Sequence, residues 1–397
     1  MGNLNVSKVG MSCMVFSRGR EHVPDEADSI AAIRAGYEAG CTYFDTAESY
    51  GKEIFHIGHN EELLGRALGT HREEIVIGSK FHMNWADVKH SKTLYDAIRV
   101  RLDRTLKRLG TDYLDLYYMH RLNVDVAVED IAGVMGQFIE EGLIRGWGMS
   151  QVSVNAIRDA HSITPLTAVQ DAYSMAQRLC EDELIPYCAQ ENIGFVAFSP
   201  ITSYYLDDTK PKGSNSPNPA ERAAAKRAIH RWTINHRLMR IIERLARENQ
   251  ATNAQISLAW MLNKYPNLVP IPGSKHPERV YENLEAADII LSEPEVAELD
   301  DMLAYCARHD PEVNKLVEKH KPKPYKRTMP KAEPVQLHKG PSAQMLASQI
   351  LGQGCKPKAP AQTVPAAVAQ AAQAAQAKQE PQELQTEQTQ QPSDKQK

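Results

Sequence analysis

Four side chains able to move a proton or stabilise charge stand at or just after the ends of short apolar runs: Asp45, Tyr50, Lys80 and His120. A carboxylate can hold a lysine ammonium, the ammonium can lower the pKa of a nearby phenol, and the phenol can then protonate a developing oxyanion. A histidine beside them can stabilise the negative charge on that oxygen. Each residue alone also has an ordinary explanation, such as a turn with a packed tyrosine or a solvated lysine. The four indicate catalysis only if the fold brings them together.

The apolar runs that carry these residues belong to a longer repeating pattern. Eight runs are short and mostly do not alternate with polar residues, which is typical of parallel strands covered on both faces. Amphipathic stretches with helical spacing lie between them. The predicted strands span residues 9–14, 43–47, 75–80, 114–120, 144–150, 168–173, 194–200 and 268–274. The predicted helices span residues 28–40, 60–69, 94–110, 128–142, 152–162, 182–192, 238–250 and 253–265.

Eight strands, each followed by at least one helix, predict an α/β fold of the closed (β/α)8 (TIM) barrel type. A doubly wound sheet is the alternative, but no GxGxxG motif follows the first run. In a barrel the C-terminal ends of the strands meet at one rim. Asp45, Lys80 and His120 lie at the ends of consecutive strands, and Tyr50 lies in the loop after the first of these. All four are therefore predicted to face one site, since burying them without a function would cost on the order of several kcal/mol.

The barrel pattern is predicted to cover residues 1–305. Residues 306–354 read as a basic, proline-containing linker, in which QMLASQILGQ (344–353) is a candidate short helix docking on the body. Its most basic stretch, 315–331, is interpreted as a solvated linker, with a docking patch for an acidic partner as the alternative. Residues 355–397 form an Ala/Gln/Pro-rich, low-complexity extension that is predicted to be disordered, because it has too little apolar surface to bury.

Composition excludes several classes of partner. The chain has 46 Lys and Arg against 50 Asp and Glu, so its net charge of −4 provides no strong field for nucleic acid or an anionic membrane. The sequence has no apolar run of membrane-spanning length and no signal-peptide pattern. Its six cysteines contain no CxxC pair, which predicts free, mostly buried thiols in a reducing, cytoplasmic compartment. No metal site is predicted, and the sequence does not indicate an oligomeric state.

The motifs FDTAESYG, IVIGSK, LDLYYMH, GWGMSQ, AVQDAYS, VAFSP and IPGSKHPERVYENL occur in this order. Together they resemble the aldo-keto reductase family over residues 4–303, through every predicted strand. The resemblance implies a nicotinamide cofactor laid across the C-terminal mouth of the barrel. It also implies that Asp45, Tyr50, Lys80 and His120 are the catalytic set.

The resemblance also implies cofactor contacts. Ser150 and Gln170 match groups that bind the nicotinamide carboxamide, and Gln151 stands where the family commonly has asparagine. Phe198, which precedes Ser199 and Pro200, matches the aromatic residue that stacks on the nicotinamide ring. Lys275 and Arg279 match a cationic pair for the adenosine 2′-phosphate and adenine, which favours NADP(H) over NAD(H). The remaining residues implied to contact the cofactor are Ser203, Gly273, Ser274, Glu282 and Asn283.

The resemblance therefore predicts NADPH-dependent, reversible reduction of aldehydes or ketones, with a small-molecule carbonyl compound as substrate. The alternative is an NADP(H)-binding regulatory subunit that senses redox state with little turnover. One departure from the family concerns the loop after Pro200, which lacks the early glycines that cover the cofactor pyrophosphate. The candidate pocket walls are Met14, Phe16, Trp85 and Tyr204, but they do not identify the substrate.

Overall fold

The computed structural model describes residues 1–18, 23–83, 89–122, 126–206, 209–322 and 325. Within this part of the chain, eight strands form one parallel sheet in which each strand pairs with the next along the chain. The strands are β1 (Met11–Ser12), β2 (Tyr43–Asp45), β3 (Val76–Phe81), β4 (Leu116–Met119), β5 (Trp147–Ser150), β6 (Ala168–Ala172), β7 (Gly194–Phe198) and β8 (Leu268–Ile271). The amides of Gly10 and Ser12 donate to the carbonyls of Pro270 and Pro272, which joins the first strand to the last. The predicted (β/α)8 barrel is confirmed.

Helices cover the outside of the sheet. They are α1 (Glu26–Glu38), α2 (His59–Leu68), α3 (Leu94–Leu109), α4 (Val128–Glu140), α5 (Val154–His161), α6 (Leu184–Gln190), α7 (Ser203–Leu206), α8 (Pro219–Glu248), α9 (Asn253–Lys264), α10 (Pro277–Glu285), α11 (Glu293–His309) and α12 (Pro311–His320). Helix α8 is much longer than the predicted stretch 238–250. It begins at the N-cap Asn218, whose side chain accepts from the amide of Ala220, with Pro219 in the first turn.

The C-terminal helices extend the packed layer past residue 305, where the sequence placed a linker. Helix α11 starts with a capping box formed by Ser292 and Glu295. Asp310 is buried, accepts from the amide of Glu312 at the start of α12, and accepts a 2.6 Å hydrogen bond from the Tyr204 hydroxyl. Val313 is buried as well. The candidate helix at 344–353 and the extension 355–397 lie outside the described residues.

The inside of the barrel is filled by alternate residues of each strand, as the two-residue period of a strand requires. Tyr43 and Tyr118 both point inward and their hydroxyls lie 3.2 Å apart. A Cβ on Gly78 would lie 2.7 Å from the Tyr43 hydroxyl, and one on Gly148 would lie 2.5 Å from the Tyr118 ring. Both rings therefore depend on a glycine in the neighbouring strand, and together they form a floor below the C-terminal rim.

The outer face of β3 is fixed by a buried carboxylate on α2. Glu61 is fully buried and accepts hydrogen bonds from Ser79 (2.6 Å), Thr105 (2.9 Å) and Arg108 (2.9 Å). These contacts join α2 to β3 and α3. Because Ser79 faces Glu61 outside the barrel, its neighbour Lys80 must face the interior.

Two further features of the described part of the chain concern its cysteines and the membrane. The five cysteines within it, Cys13, Cys41, Cys180, Cys188 and Cys306, are all free and buried, as expected. None of the helices described is both long enough and apolar enough to cross a membrane.

We expect Glu61→Ala to lower the free energy of unfolding by about 2–4 kcal/mol, because the Arg108 guanidinium and two hydroxyls lose their acceptor. Urea unfolding followed by circular dichroism measures the change. Glu62→Ala on the same helix is the matched control. Its partly exposed carboxylate pairs with exposed His56, so the loss there should stay below about 1 kcal/mol. Equal losses in the two variants would contradict the role assigned to Glu61.

Candidate active site

An ion pair lies at the C-terminal end of the barrel interior. Lys80 on β3 and Asp45 at the end of β2 are 0% and 1% exposed, so neither charge is solvated. The Lys80 ammonium donates to Asp45 Oδ1 (2.5 Å), to the carbonyl of Thr46 (2.7 Å) and to the Tyr50 hydroxyl (3.1 Å). An ammonium has three N–H groups, and all three are used here. The geometry thus links the carboxylate to the phenol through one lysine.

The second oxygen of Asp45 is held from the other side of the barrel. Asp45 Oδ2 accepts from Gln170 Nε2 on β6 (2.7 Å) and from the Tyr43 hydroxyl (3.4 Å). These hydrogen bonds hold the carboxylate in one orientation relative to Lys80. They also compensate for the removal of the carboxylate from water.

The loop that presents Tyr50 is fixed by Glu48. Glu48 is buried, and its Oε1 accepts from Arg101 (2.8 Å) and from the amide of His82 (2.7 Å). The amide of Glu48 donates to the Lys80 carbonyl, and the next residue after Tyr50, Gly51, has φ +105°, a conformation that favours glycine. Tyr50 is thereby positioned over Lys80 with 7% of its surface exposed.

His120 follows β4 and completes the group. Its ring lies edge-on to the Tyr50 ring, with the centroids 5.9 Å apart. Burial, followed by the charges of Lys80 and Arg121, drives the pKa of His120 far below its usual value. The imidazole is therefore neutral at physiological pH and can donate or accept a hydrogen bond without carrying charge.

The electrostatics of Tyr50 differ from the sequence-based expectation. Burial raises the pKa of the Tyr50 phenol, and the opposing charge of Lys80 does not reverse this. The pKa of Tyr50 is therefore raised, whereas the sequence predicted a lowered pKa. The prediction was wrong because burial of the phenol depends on tertiary packing around the loop. For Lys80, burial lowers the ammonium pKa but the charges of Asp45 and Tyr50 outweigh it, so the net pKa is raised. In this protein the phenol is protonated and the lysine charged at neutral pH.

A cavity of about 380 Å³ opens directly above these groups. Two residues in its lining, Gln151 and Ser199, have left-handed backbone conformations, with φ of 53° and 52°. Such strain in residues other than glycine is concentrated at functional sites. The lining consists of Ser12, Met14, Val15, Arg18, Asp45, Tyr50, His120, Arg121, Ser150, Gln151, Gln170, Phe198, Ser199, Pro200, Ile201, Ile271, Pro272 and Gly273.

Comparison with known proteins assigns most of the chain to a family. The model of the aldo/keto reductase family matches residues 13–304, which is most of the chain. The chain belongs to the aldo/keto reductase family.

Individual relatives support the assignment. This aldo/keto reductase is 34% identical to probable aldo-keto reductase 1 of Glycine max over 298 residues, covering 74% of this chain and 84% of that protein. It is 27% identical to an aldo/keto reductase from Klebsiella pneumoniae whose structure contains NADP and acetate, with a TM-score of 0.56 and coverage of 75% and 91%. A Klebsiella pneumoniae aldo-keto reductase in complex with NADPH is 26% identical, with a TM-score of 0.57 and coverage of 81% and 93%.

The aldo/keto reductase fold gathers only some of the predicted cofactor residues around this cavity. Ser150, Gln151, Gln170, Phe198, Ser199, Pro200 and Gly273 line it together with Asp45, Tyr50 and His120. The lining does not include Ser203, Ser274, Lys275, Arg279, Glu282 and Asn283. Of these, Ser203 begins the short helix α7, while Arg279 lies exposed in the first turn of α10. Glu282 accepts a hydrogen bond from Thr252 (2.7 Å).

Sequence reasoning missed two residues of the site, Arg18 and Arg121. Both line the cavity, and the signal for Arg121 was its place directly after His120 at a strand end. Among the predicted pocket walls, Met14 lines the cavity, whereas Phe16 is buried in the core. Tyr204 bonds to Asp310 outside the lining, and Trp85 lies outside the described residues.

We expect Asp45→Asn to destabilise this aldo/keto reductase by about 3–5 kcal/mol, because it leaves the Lys80 ammonium buried without its counter-charge. Urea unfolding of the single variants and of Asp45→Asn/Lys80→Met forms a double-mutant cycle. The double variant should be more stable than Asp45→Asn alone, since it removes both charges. Strictly additive losses would show that the pair does not act as a unit.

Proposed function

We propose that this chain catalyses the NADPH-dependent reduction of aldehydes or ketones to alcohols, with Tyr50 as the general acid. The observation that carries the proposal is the hydrogen-bonded series Asp45–Lys80–Tyr50, buried beneath an open cavity. A buried series of this kind, which ends in a phenol at the cavity surface, is suited to proton transfer. Stability does not explain it, because buried ion pairs often stabilise a fold no more than apolar packing does.

The proton route follows from the residues. Tyr50 is protonated at neutral pH and can donate to a carbonyl oxygen as negative charge develops on it. Lys80 stabilises the phenolate that remains, and Asp45 keeps Lys80 charged and in place. His120, neutral and beside Tyr50, can donate a hydrogen bond to the same oxygen and so fix its position.

The residues around the cavity suit a nicotinamide. Ser150, Gln151 and Gln170 offer one hydroxyl and two amides, the groups that hydrogen-bond a carboxamide, and Phe198 offers an aromatic face. Gln170 also donates to Asp45, so one side chain would connect the cofactor to the catalytic ion pair. When bound, NADPH supplies the hydride that reduces the carbonyl carbon. The cationic residues Lys275 and Arg279, near the N-terminus of α10, are assigned to its 2′-phosphate.

The alternative, a cofactor-binding redox sensor with little turnover, uses the same fold. A sensor needs the cofactor contacts but not a positioned proton donor. The complete hydrogen-bonded series to Tyr50 and the neutral His120 beside it therefore favour an enzyme.

Tyr50→Phe is the decisive variant. It keeps the ring and its packing but removes the proton donor, so reduction should fall by on the order of 10²–10⁴-fold. NADPH affinity should remain within a few-fold, which a fluorescence titration checks. Single-turnover hydride transfer with saturating NADPH and a panel of aldehydes measures the chemical step. Tyr37→Phe, which removes a hydroxyl bonded to Glu74 far from the cavity, is the control and should leave turnover unchanged.

The pH dependence of reduction in Lys80→Met gives a second test of the proposed proton route. Lys80 lowers the pKa of Tyr50, although less than burial raises it. In Lys80→Met this opposing charge is lost, so the alkaline limb of any residual activity should move to higher pH. For the variant Tyr50→Phe, turnover at the wild-type rate would contradict the role of Tyr50 as proton donor.

Cofactor preference is tested at Lys275. If Lys275 meets the 2′-phosphate, Lys275→Ala should weaken NADPH binding by about 1–3 kcal/mol while NADH binding barely changes. Fluorescence titration with both cofactors measures the difference. Lys107→Ala on α3, which removes an exposed positive charge elsewhere, should affect neither. Equal losses for both cofactors at Lys275 would remove the basis for assigning NADP(H).

A further inference from the structure

Two arginines line the cavity beside the proposed proton donor. Arg121 Nη1 donates to the His120 carbonyl (2.5 Å) and to Ser150 Oγ (3.2 Å), which directs the guanidinium across the C-terminal end of β4. Arg18 enters the same cavity from the segment after β1. Both charges reach the catalytic end, since they act with burial and Lys80 to lower the pKa of His120.

Little in the cavity balances these two charges. Among the described residues of its lining, Asp45 is the only carboxylate, and its charge is taken up by Lys80. Neither Arg18 nor Arg121 forms an ion pair within 4.0 Å in the described part of the chain. The site therefore presents two positive charges that its own carboxylate does not compensate.

Asp171 on β6 lies outside the cavity lining, but its charge acts on Arg121. Its side chain is buried, and Oδ1 accepts from the amide of Ala172 (2.7 Å). Burial raises the pKa of Asp171 to about 7, which the charge of Arg121 opposes. Near neutral pH this carboxyl carries only part of a negative charge, so it offsets Arg121 incompletely.

We propose that the site selects carbonyl substrates that carry a carboxylate, which Arg121 and Arg18 hold while the carbonyl lies at Tyr50. This inference rests on the proposed function and names its substrate class. Guanidinium groups suit carboxylates because their N–H groups are arranged in a planar fork. Two of them at the mouth also attract anions from solution and repel cations.

The cofactor phosphates are a less suitable partner for these arginines. Arg121 lies against His120 and Ser150, and both of these belong to the catalytic and nicotinamide end of the site. The cations assigned to the 2′-phosphate, Lys275 and Arg279, are absent from the described lining of this cavity. Arg121 therefore lies at the nicotinamide and carbonyl end of the site, where the cofactor has no phosphate.

Paired substrates test the proposal. Glyoxylate, 4-oxobutanoate and 4-formylbenzoate, each compared with its methyl ester, vary the distance between carbonyl and carboxylate while the ester removes only the charge. For the best of these pairs, kcat/KM of the acid should exceed that of the ester by roughly 10- to 100-fold. Arg121→Met should abolish most of this ratio, and Arg18→Met should lower it several-fold. The ratio should also fall as salt concentration rises.

Lys52→Met is the matched control. Lys52 is an exposed cation in the loop after Tyr50, but it is not part of the cavity lining. Its removal should change the acid-to-ester ratio by less than about twofold, because an exposed charge is largely screened. NADPH affinity, measured by fluorescence in each variant, separates loss of substrate binding from loss of cofactor binding.

A binding measurement separates this inference from the proposed function. Calorimetric titration of the NADP-loaded protein with benzoate and with benzamide requires no turnover. Benzoate should bind at least tenfold more tightly than benzamide, a difference of about 1.4 kcal/mol, and Arg121→Met should remove it. If no carbonyl is reduced but this difference persists, the proposed function fails and the anion site stands. Acid-to-ester ratios near one for all three pairs, or ratios that neither arginine variant changes, would overturn the inference.

Discussion

The rest of the site depends on one interaction, the buried ion pair between Asp45 and Lys80. Two charges without water contact are costly unless every hydrogen-bonding group on them is satisfied. Here Lys80 uses its three donors on Asp45, Thr46 and Tyr50. Asp45 accepts on its other oxygen from Gln170 and Tyr43. Because these partners come from β2, β3, β6 and the loop after β2, the pair requires the strands to keep one register.

That register depends in turn on how the interior below the pair is filled. The hydroxyls of Tyr43 and Tyr118 are in contact, and the two rings occupy space that side chains at Gly78 and Gly148 would take. A larger residue at either glycine would collide with one of these tyrosines, and Tyr43 hydrogen-bonds Asp45. Gly78 and Gly148 thus support the ion pair through packing, although neither lines the cavity.

The sequence predicted most of this arrangement, for a physical reason. Parallel strands buried on both faces give short continuous apolar runs, and the polar residues that end those runs must lie at one rim. This is why the sequence alone places Asp45, Lys80 and His120 together. The first half of α8 was missed because residues 219–233 have no buried face, so they show no clear apolar period. The sequence also did not predict the raised pKa of Tyr50 or the position of Arg18, since both depend on contacts between distant segments.

The site separates two tasks between two kinds of side chain. Asp45 and Lys80 are buried on strands with saturated hydrogen bonds; burial raises the pKa of Tyr50, while the charge of Lys80 opposes this and would stabilise the phenolate of the proposed reaction. Arg18 and Arg121 are solvent-exposed in segments that follow strands, and Arg121 contacts the buried group through its hydrogen bonds to the His120 carbonyl and Ser150 Oγ. Chemistry of this kind can remain constant while the exposed charges change. If both proposals hold, substrate choice in this chain rests on Arg18 and Arg121, and the transfer of the proton rests on the buried group below them.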